Sequence, residues 1–469
     1  MIPPRPRPSG GPAHDVPLRY LLTAAGAFVL AALGVLWLAP ELAGHYYHPR
    51  IVALTHTVTL GWITLTIMGA SYQLIPIVLE RPIWSERLAR WQFWLLVASI
   101  TGMIAHFYLG TWLGLVTAAA FLGVAVAAHL LNVAATLRGF TRWSFTARLV
   151  VVGYAGLAVT MLFGLALGAD RIWKFLPGQF FPTLHAHFHL ALLGWVAPMI
   201  FGVAARVYPM FLLAPEPEGW PDAVQFWGLA LGVPAVVLGL LGVPGFTLVG
   251  TGAVIGAAAG HARWVVGFAR TRKRPRLDWG LRFVLTGTAF LLPAALIGLG
   301  FALDLLSGPQ PAIAYTVLTL GGWVSLTIVG MMLKIVPFLV WYRVYSPRAG
   351  KEPVPTLAQL SWPRAEALAY VFLTGGFVLL PLAALTGEAE WIRMTGAVLL
   401  LGALAFAASL LRVLQHLGSA VRPPRPAAPA GTVATGWESA GGRLASRRTS
   451  RAGAPPSEAS GYGSLGPRS

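Results

Sequence analysis

The chain has 469 residues, 56% of them hydrophobic and only 11% charged. Soluble proteins carry about 25% charged residues, so the composition describes a polytopic, all-α integral membrane protein whose first partner is lipid. With no cysteine there are no disulfides, no Cys-ligated iron–sulfur cluster and no covalent haem attachment through Cys-x-x-Cys-His. The net charge is +18, but Lys and Arg sit mostly in loops and in the C-terminal tail. There they set membrane topology and do not point to nucleic acid.

Residues 1–17 are rich in Pro, Arg and Gly and lack the apolar core of a signal peptide. They are expected to form a cytoplasmic N-terminal segment. The membrane domain is expected over 18–417. It comprises twelve apolar spans at about 18–40, 51–79, 91–112, 114–136, 147–168, 183–213, 222–243, 245–268, 281–303, 312–341, 366–386 and 392–415. Each is near or above the ~20 residues a bilayer requires. Residues 418–469 are dominated by Pro, Ala, Gly, Ser and Arg, the composition of a disordered tail.

Basic residues orient the bundle. The loops after the second, fourth, eighth and tenth spans hold Arg81, Arg87 and Arg90; Arg138, Arg142 and Arg148; Arg270, Arg272, Lys273, Arg274 and Arg276; and Arg343, Arg348 and Lys351. The opposite loops hold Arg50, Arg171, Lys174 and Arg393. Both termini are therefore expected in the cytoplasm of a bacterial-type inner membrane. The loop after the sixth span, with Glu216, Glu218 and Asp222, is acidic where this scheme expects basic residues.

The second, sixth and tenth spans share a pattern. Gly-Trp occurs at Gly61-Trp62, Gly194-Trp195 and Gly322-Trp323. Seven residues after each Trp stands Gly69, Gly202 or Gly330; eleven after, Gln73, Arg206 or Lys334; fourteen after, Pro76, Pro209 or Pro337. The fourth, eighth and twelfth spans give a weaker echo in Ala128-His129, Gly260-His261 and Ala408-Ser409. Repetition at a nearly fixed interval implies three units of four helices with internal threefold symmetry. Close packing of small residues accounts for the glycines. Helix ends or kinks account for the prolines, and snorkelling for Arg206 and Lys334.

The histidines do not follow packing logic. His185-Ala186-His187-Phe188-His189 sits within the sixth span, where polar side chains are costly unless partnered. Six residues before Trp195 is His189, six before Trp62 is His56, and six before Trp323 is Val317. His56 and His189 thus occupy equivalent positions and suit a bis-histidine clamp for non-covalent haem b. His187 points about 200° away from His189 on a helix and suits a second centre. His185, one turn before His189, shares its face.

The run His187-Phe188-His189-Leu190-Ala191-Leu192-Leu193-Gly194-Trp195 resembles a His-x-His-x-x-x-Leu-Gly-Trp motif of the heme-copper oxidase superfamily. The closest resemblance is to subunit I of the cbb-type cytochrome c oxidases. That resemblance implies twelve helices in three pseudo-threefold four-helix arcs. It also implies a low-spin haem on His56 and His189 and a high-spin haem on His187. The motif stands here on the sixth span, where the family carries it on the tenth. No His-His pair is present for the family's copper site, which leaves His56 and His106 as its candidate remnants. One or two b-type haems are expected, with copper as an open question. The function implied is electron transfer, or reduction of oxygen or nitric oxide, with cytochrome c or a quinol as donor and partner subunits for electron entry. The alternative is a non-enzymatic transporter or a haem, copper or nitric-oxide sensor built on the same bundle. His129 and His261 read as buried, hydrogen-bonded groups, and His416 as a solvated one. His45 and His48 read as part of a polar loop, a copper site, or a cover over the haem.

Overall fold

The computed structural model describes residues 15–79, 81–176, 178–215 and 219–421. Twelve long helices follow in order: α1 (Asp15–Trp37), α2 (Pro49–Ile77), α3 (Glu86–Leu109), α4 (Trp112–Leu137), α5 (Phe145–Trp173), α6 (Phe180–Leu212), α7 (Trp220–Leu240), α8 (Phe246–Thr271), α9 (Trp279–Ala302), α10 (Pro309–Val344), α11 (Pro363–Thr386) and α12 (Ala389–Gly418). Among the described residues, eleven of these are long and apolar enough to cross a membrane. The remaining one, α8, has the length, 26 residues, but is diluted with Gly, Thr, His261 and Arg263. The chain is thus a multi-pass, all-α membrane protein.

The first helix starts at Asp15, inside the expected terminal segment. A 3₁₀ turn, Gln415–Val421, runs across the boundary expected at 417. Residues before 15 and after 421, and Glu216 and Glu218 of the acidic loop, lie outside the described residues.

Helix starts follow local chemistry. The Ser85 and Ser144 hydroxyls accept from the backbone N–H of Leu88 and Ala147 at the starts of α3 and α5. Asp278 accepts from Leu281 N–H at the start of α9. Each satisfies a donor that the first turn would leave orphaned. Leu231 and Phe290 interrupt α7 and α9, each three residues before a proline, Pro234 or Pro293. A proline ring displaces the carbonyl four residues back and bends the helix there.

Each helix packs on its neighbour in sequence, and α12 packs back on α1, which closes the ring. The most buried spans are α2, α6 and α10. Outward faces carry large apolar side chains such as Leu30, Leu113, Leu162 and Leu292. Exposed tryptophans, including Trp37, Trp84, Trp173 and Trp362, sit at helix ends. An interfacial tryptophan belt has this distribution.

The repeat seen in the sequence is a repeat in space. Gly69 of α2 faces Tyr20 of α1, Gly202 of α6 faces Leu149 of α5, and Gly330 of α10 faces the Gly280 carbonyl of α9. The Gly-Trp glycines meet the same three helices: Gly61 at Ala27, Gly194 at Gly156, Gly322 at Phe290. In lipid, helices gain no hydrophobic drive toward one another, and van der Waals contact at small residues takes its place.

Lys334 departs from the snorkelling expectation. Its ammonium pairs with Asp278 at the start of α9 and lies over the Phe211 ring. The pair ties α9 to α10, and Arg274 joins it at 3.4 Å.

A Cβ at Gly156 would lie 2.0 Å from the Gly194 carbonyl oxygen, whereas one at Gly26 would meet nothing within 4 Å. Gly156→Val should therefore force α5 from α6 and destabilise the protein by about 1–3 kcal/mol, the usual cost of overpacking. Gly26→Ala should be neutral. Thermal unfolding of the two variants in detergent measures the contrast.

Candidate functional site

The three inner helices share a local irregularity. Each changes from α to π hydrogen bonding around its Gly-Trp pair, at Thr57–Thr64, Leu190–Val196 and Val317–Ser325. Such π segments are rare and concentrate at functional sites. His56 and His189 are the residues immediately before the first two, and Thr316 precedes the third.

The widened turns border a cavity of about 810 Å³ that reaches all three inner helices and is walled mainly by apolar side chains. His56, His185, His187 and His189 all line it. The His56 Nδ1 is 2.8 Å from the Val52 carbonyl. The His187 Nδ1 is 3.0 Å from the Thr160 carbonyl of α5. The His189 Nδ1 is 2.8 Å from the His185 carbonyl. A carbonyl only accepts, so each Nδ1 carries the proton and each Nε2 presents a lone pair. Metal-ligating histidines are held in the same way: one nitrogen anchored to a carbonyl, the other free to coordinate. His185 differs, with its Nε2 3.1 Å from the Tyr46 hydroxyl.

The rings divide between two sides of α6. His56 stacks on Phe107 of α3, with centroids 4.9 Å apart. His187 turns to α5 and lies within electrostatic reach of His56. A Cβ at Gly164 would lie 3.0 Å from the His187 ring, so the bare glycine makes room for it. His189 faces the other way and stacks near Tyr315 of α10, 6.0 Å away at 28°. The three rings therefore leave their helices toward different neighbours, His56 toward α3, His187 toward α5 and His189 toward α10. Equivalent depth on two helices does not guarantee a shared gap when the side chains diverge around the helix axis.

His106 is not part of this arrangement. Its Nδ1 is 2.7 Å from the Thr111 hydroxyl, and the ring covers Gly114 at the start of α4. The neighbouring Phe107 reaches the cavity in its place. Among the described residues, no three His, Asp or Glu side chains converge on one point. His106, named with His56 as a candidate remnant of a copper site, does not line the cavity that His56 lines.

In the loop before α2, His45 Nδ1 accepts from Tyr47 N–H at 3.0 Å, and His48 caps the helix through Arg50 N–H. His45, Tyr46 and Tyr47 of this loop line the cavity. His416 is held by Tyr345, its Nδ1 2.7 Å from the hydroxyl, and is not simply solvated.

His129, fully buried, has Nδ1 2.9 Å from Tyr72 and Nε2 3.2 Å from Tyr154. Tyr72 donates to Gln92, which also accepts from Tyr20. His261 is buried and stacks on Phe201 at 4.0 Å, but its Nδ1 has no hydrogen-bond partner among the described residues, so the bond expected of it is not made there; Ser409 is likewise buried and unpartnered. Trp62 donates to Ser325 at 3.0 Å and links α2 to α10. The α10 hydroxyls of Thr316, Thr319, Ser325 and Thr327 bond to carbonyls one turn back. The π segments escaped the sequence reading. Their one trace is the spacing of Gly61 and Gly69: eight residues apart, about 80° out of phase in a straight helix, yet both face α1.

No known family model matches the chain, and no curated protein matches it in sequence.

His129→Leu removes the partner of two buried hydroxyls. It should cost about 1–3 kcal/mol of stability, read as a lower melting temperature in detergent. Ligand binding in the cavity should be unchanged, because His129 does not line it.

Proposed function

We propose that the chain is a membrane haem protein, a divergent member of the heme-copper oxidase superfamily, crossing a bacterial-type inner membrane twelve times in three four-helix arcs with both termini in the cytoplasm. The observation that carries this reading is the set of imidazoles in the cavity, each anchored through Nδ1 with Nε2 left for coordination. The matching glycine contacts and π segments in α2, α6 and α10 support the threefold architecture. The basic loops listed above support the orientation.

A flat apolar macrocycle with a central metal fits the residues present. The cavity lies within the 300–1,000 Å³ range of small-molecule and cofactor sites and is lined by histidines of both α2 and α6. Of the cavity histidines, His56 and His187 would hold haem b. His189 would serve a second haem. Bound haem supplies one-electron chemistry, and at an open iron position reduction of oxygen or nitric oxide. The chain's contribution is orientation and exclusion of water. The carbonyl bonds from Val52 and Thr160 fix the imidazole tautomers, Phe107 holds the His56 ring flat, and the apolar walls keep the dielectric low. Electrons would come from cytochrome c or a quinol, through partner subunits in the cytochrome case.

Reduced-minus-oxidised spectra of the detergent-purified protein test this. A sharp α band is expected, lost in His56→Ala and His187→Ala and retained in His189→Ala. A colourless wild type from haem-replete cells would move the chain to the transporter or sensor class.

A further inference from the structure

Arg171 is the one Lys or Arg side chain on the cavity wall among the described residues. It stands near the end of α5, and the loop residues Tyr46 and Tyr47 line the same cavity. Its guanidinium lies over three rings from three elements: Tyr47 of the loop at 4.9 Å, Trp112 at the start of α4 at 4.7 Å, and Phe180 at the start of α6 at 5.1 Å. Aromatic faces stabilise the charge but accept none of the in-plane N–H bonds that a guanidinium directs at a carboxylate. No carboxylate pairs with it among the described residues. The adjacent Asp170 is engaged elsewhere, accepting from Leu176 N–H at 2.7 Å.

The register of α5 connects this cation to the histidine pair. Gly164, Gly168 and Arg171 stand at i, i+4 and i+7, one face of a helix, and all three line the cavity. Gly164 lies against the His187 ring, and a Cβ at Gly168 would meet nothing within 4 Å. Arg171 therefore stands two turns, about 10 Å, beyond His187 along a wall without side chains at its middle position. A ligand seated at His187 has a clear path along that wall to the guanidinium.

We infer that Arg171 is the anion anchor of this cavity: it binds a carboxylate of the ligand held at His56 and His187, and so sets that ligand with its acidic edge toward the loop end and its apolar edge toward the buried half of the bundle. The inference rests on the haem reading, for which the carboxylate is a propionate. Arg171 is a binding residue in this scheme and takes no part in ligating the metal. The bland alternative is that it only staples three loop segments together through their rings.

Titration with ferric haem b and with its dimethyl ester separates these readings. The protein is produced without haem and followed by the Soret band in wild type, Arg171→Gln and Arg171→Lys. The wild type should bind haem at least about tenfold more tightly than the ester, the size of one charged hydrogen bond. Arg171→Gln should erase that preference while keeping the wild-type affinity for the ester, which also shows that the variant is folded. Arg171→Lys should retain part of the preference. Equal affinities for the two porphyrins in wild type, or an undiminished preference in Arg171→Gln, would overturn the anchor and leave the haem reading standing. If neither porphyrin gives a Soret band with wild type, the haem reading fails and the anchor fails with it.

Discussion

The bundle depends on backbone-to-backbone approach between each inner helix and the outer helix before it. Lipid is as apolar as leucine, so burial alone does not hold these helices together. Contact distance does, and glycine at the contact permits it. Gly194 against Gly156 and Gly330 against Gly280 bring α6 onto α5 and α10 onto α9. The same approach carries the Thr160 carbonyl within 3.0 Å of His187. A packing device and a site device are therefore one contact: without the close fit of α5 on α6, the imidazole would lose the group that fixes its proton.

The two halves of the bundle divide their work. On one side of the tryptophan level, aromatic rings, His129 and its tyrosines fill the space. On the other side stands the cavity with its five histidines, His45 of the loop and His56, His185, His187 and His189 of the inner helices. The π turns lie at the junction. A π turn admits one extra residue and widens the helix, which suits a place where a side chain must leave the packed stripe and face open space.

Much of the fold was legible in the chain. Periodic apolar runs located the helices, and the recurring Gly, Trp and Pro columns located the three inner ones. The site was legible only as a set of residues. His56, His187 and His189 do meet one cavity, but their partners could not be read from spacing, because His189 turns to Tyr315 while His187 turns to α5. His106 looked equivalent to a site residue by chemistry, yet Thr111 and Gly114 capture its ring. Arg171 looked like a loop charge and is held instead in a basket of three rings on the cavity wall.

Composition and periodicity by themselves determined that this is an all-α membrane protein, that it repeats internally, and that histidines intrude into one of its inner helices. Those properties are local: hydropathy over a span of about 20 residues and side-chain identity at a fixed interval. Tertiary structure alone decided which face of α6 each histidine presents, which carbonyl holds each imidazole, and that Lys334 pairs with Asp278. The physical reason is that a helix offers its side chains to several neighbours at once. The choice among them follows from how closely each backbone can approach and from where a π turn shifts the register, and neither is written in the residues of one helix taken alone.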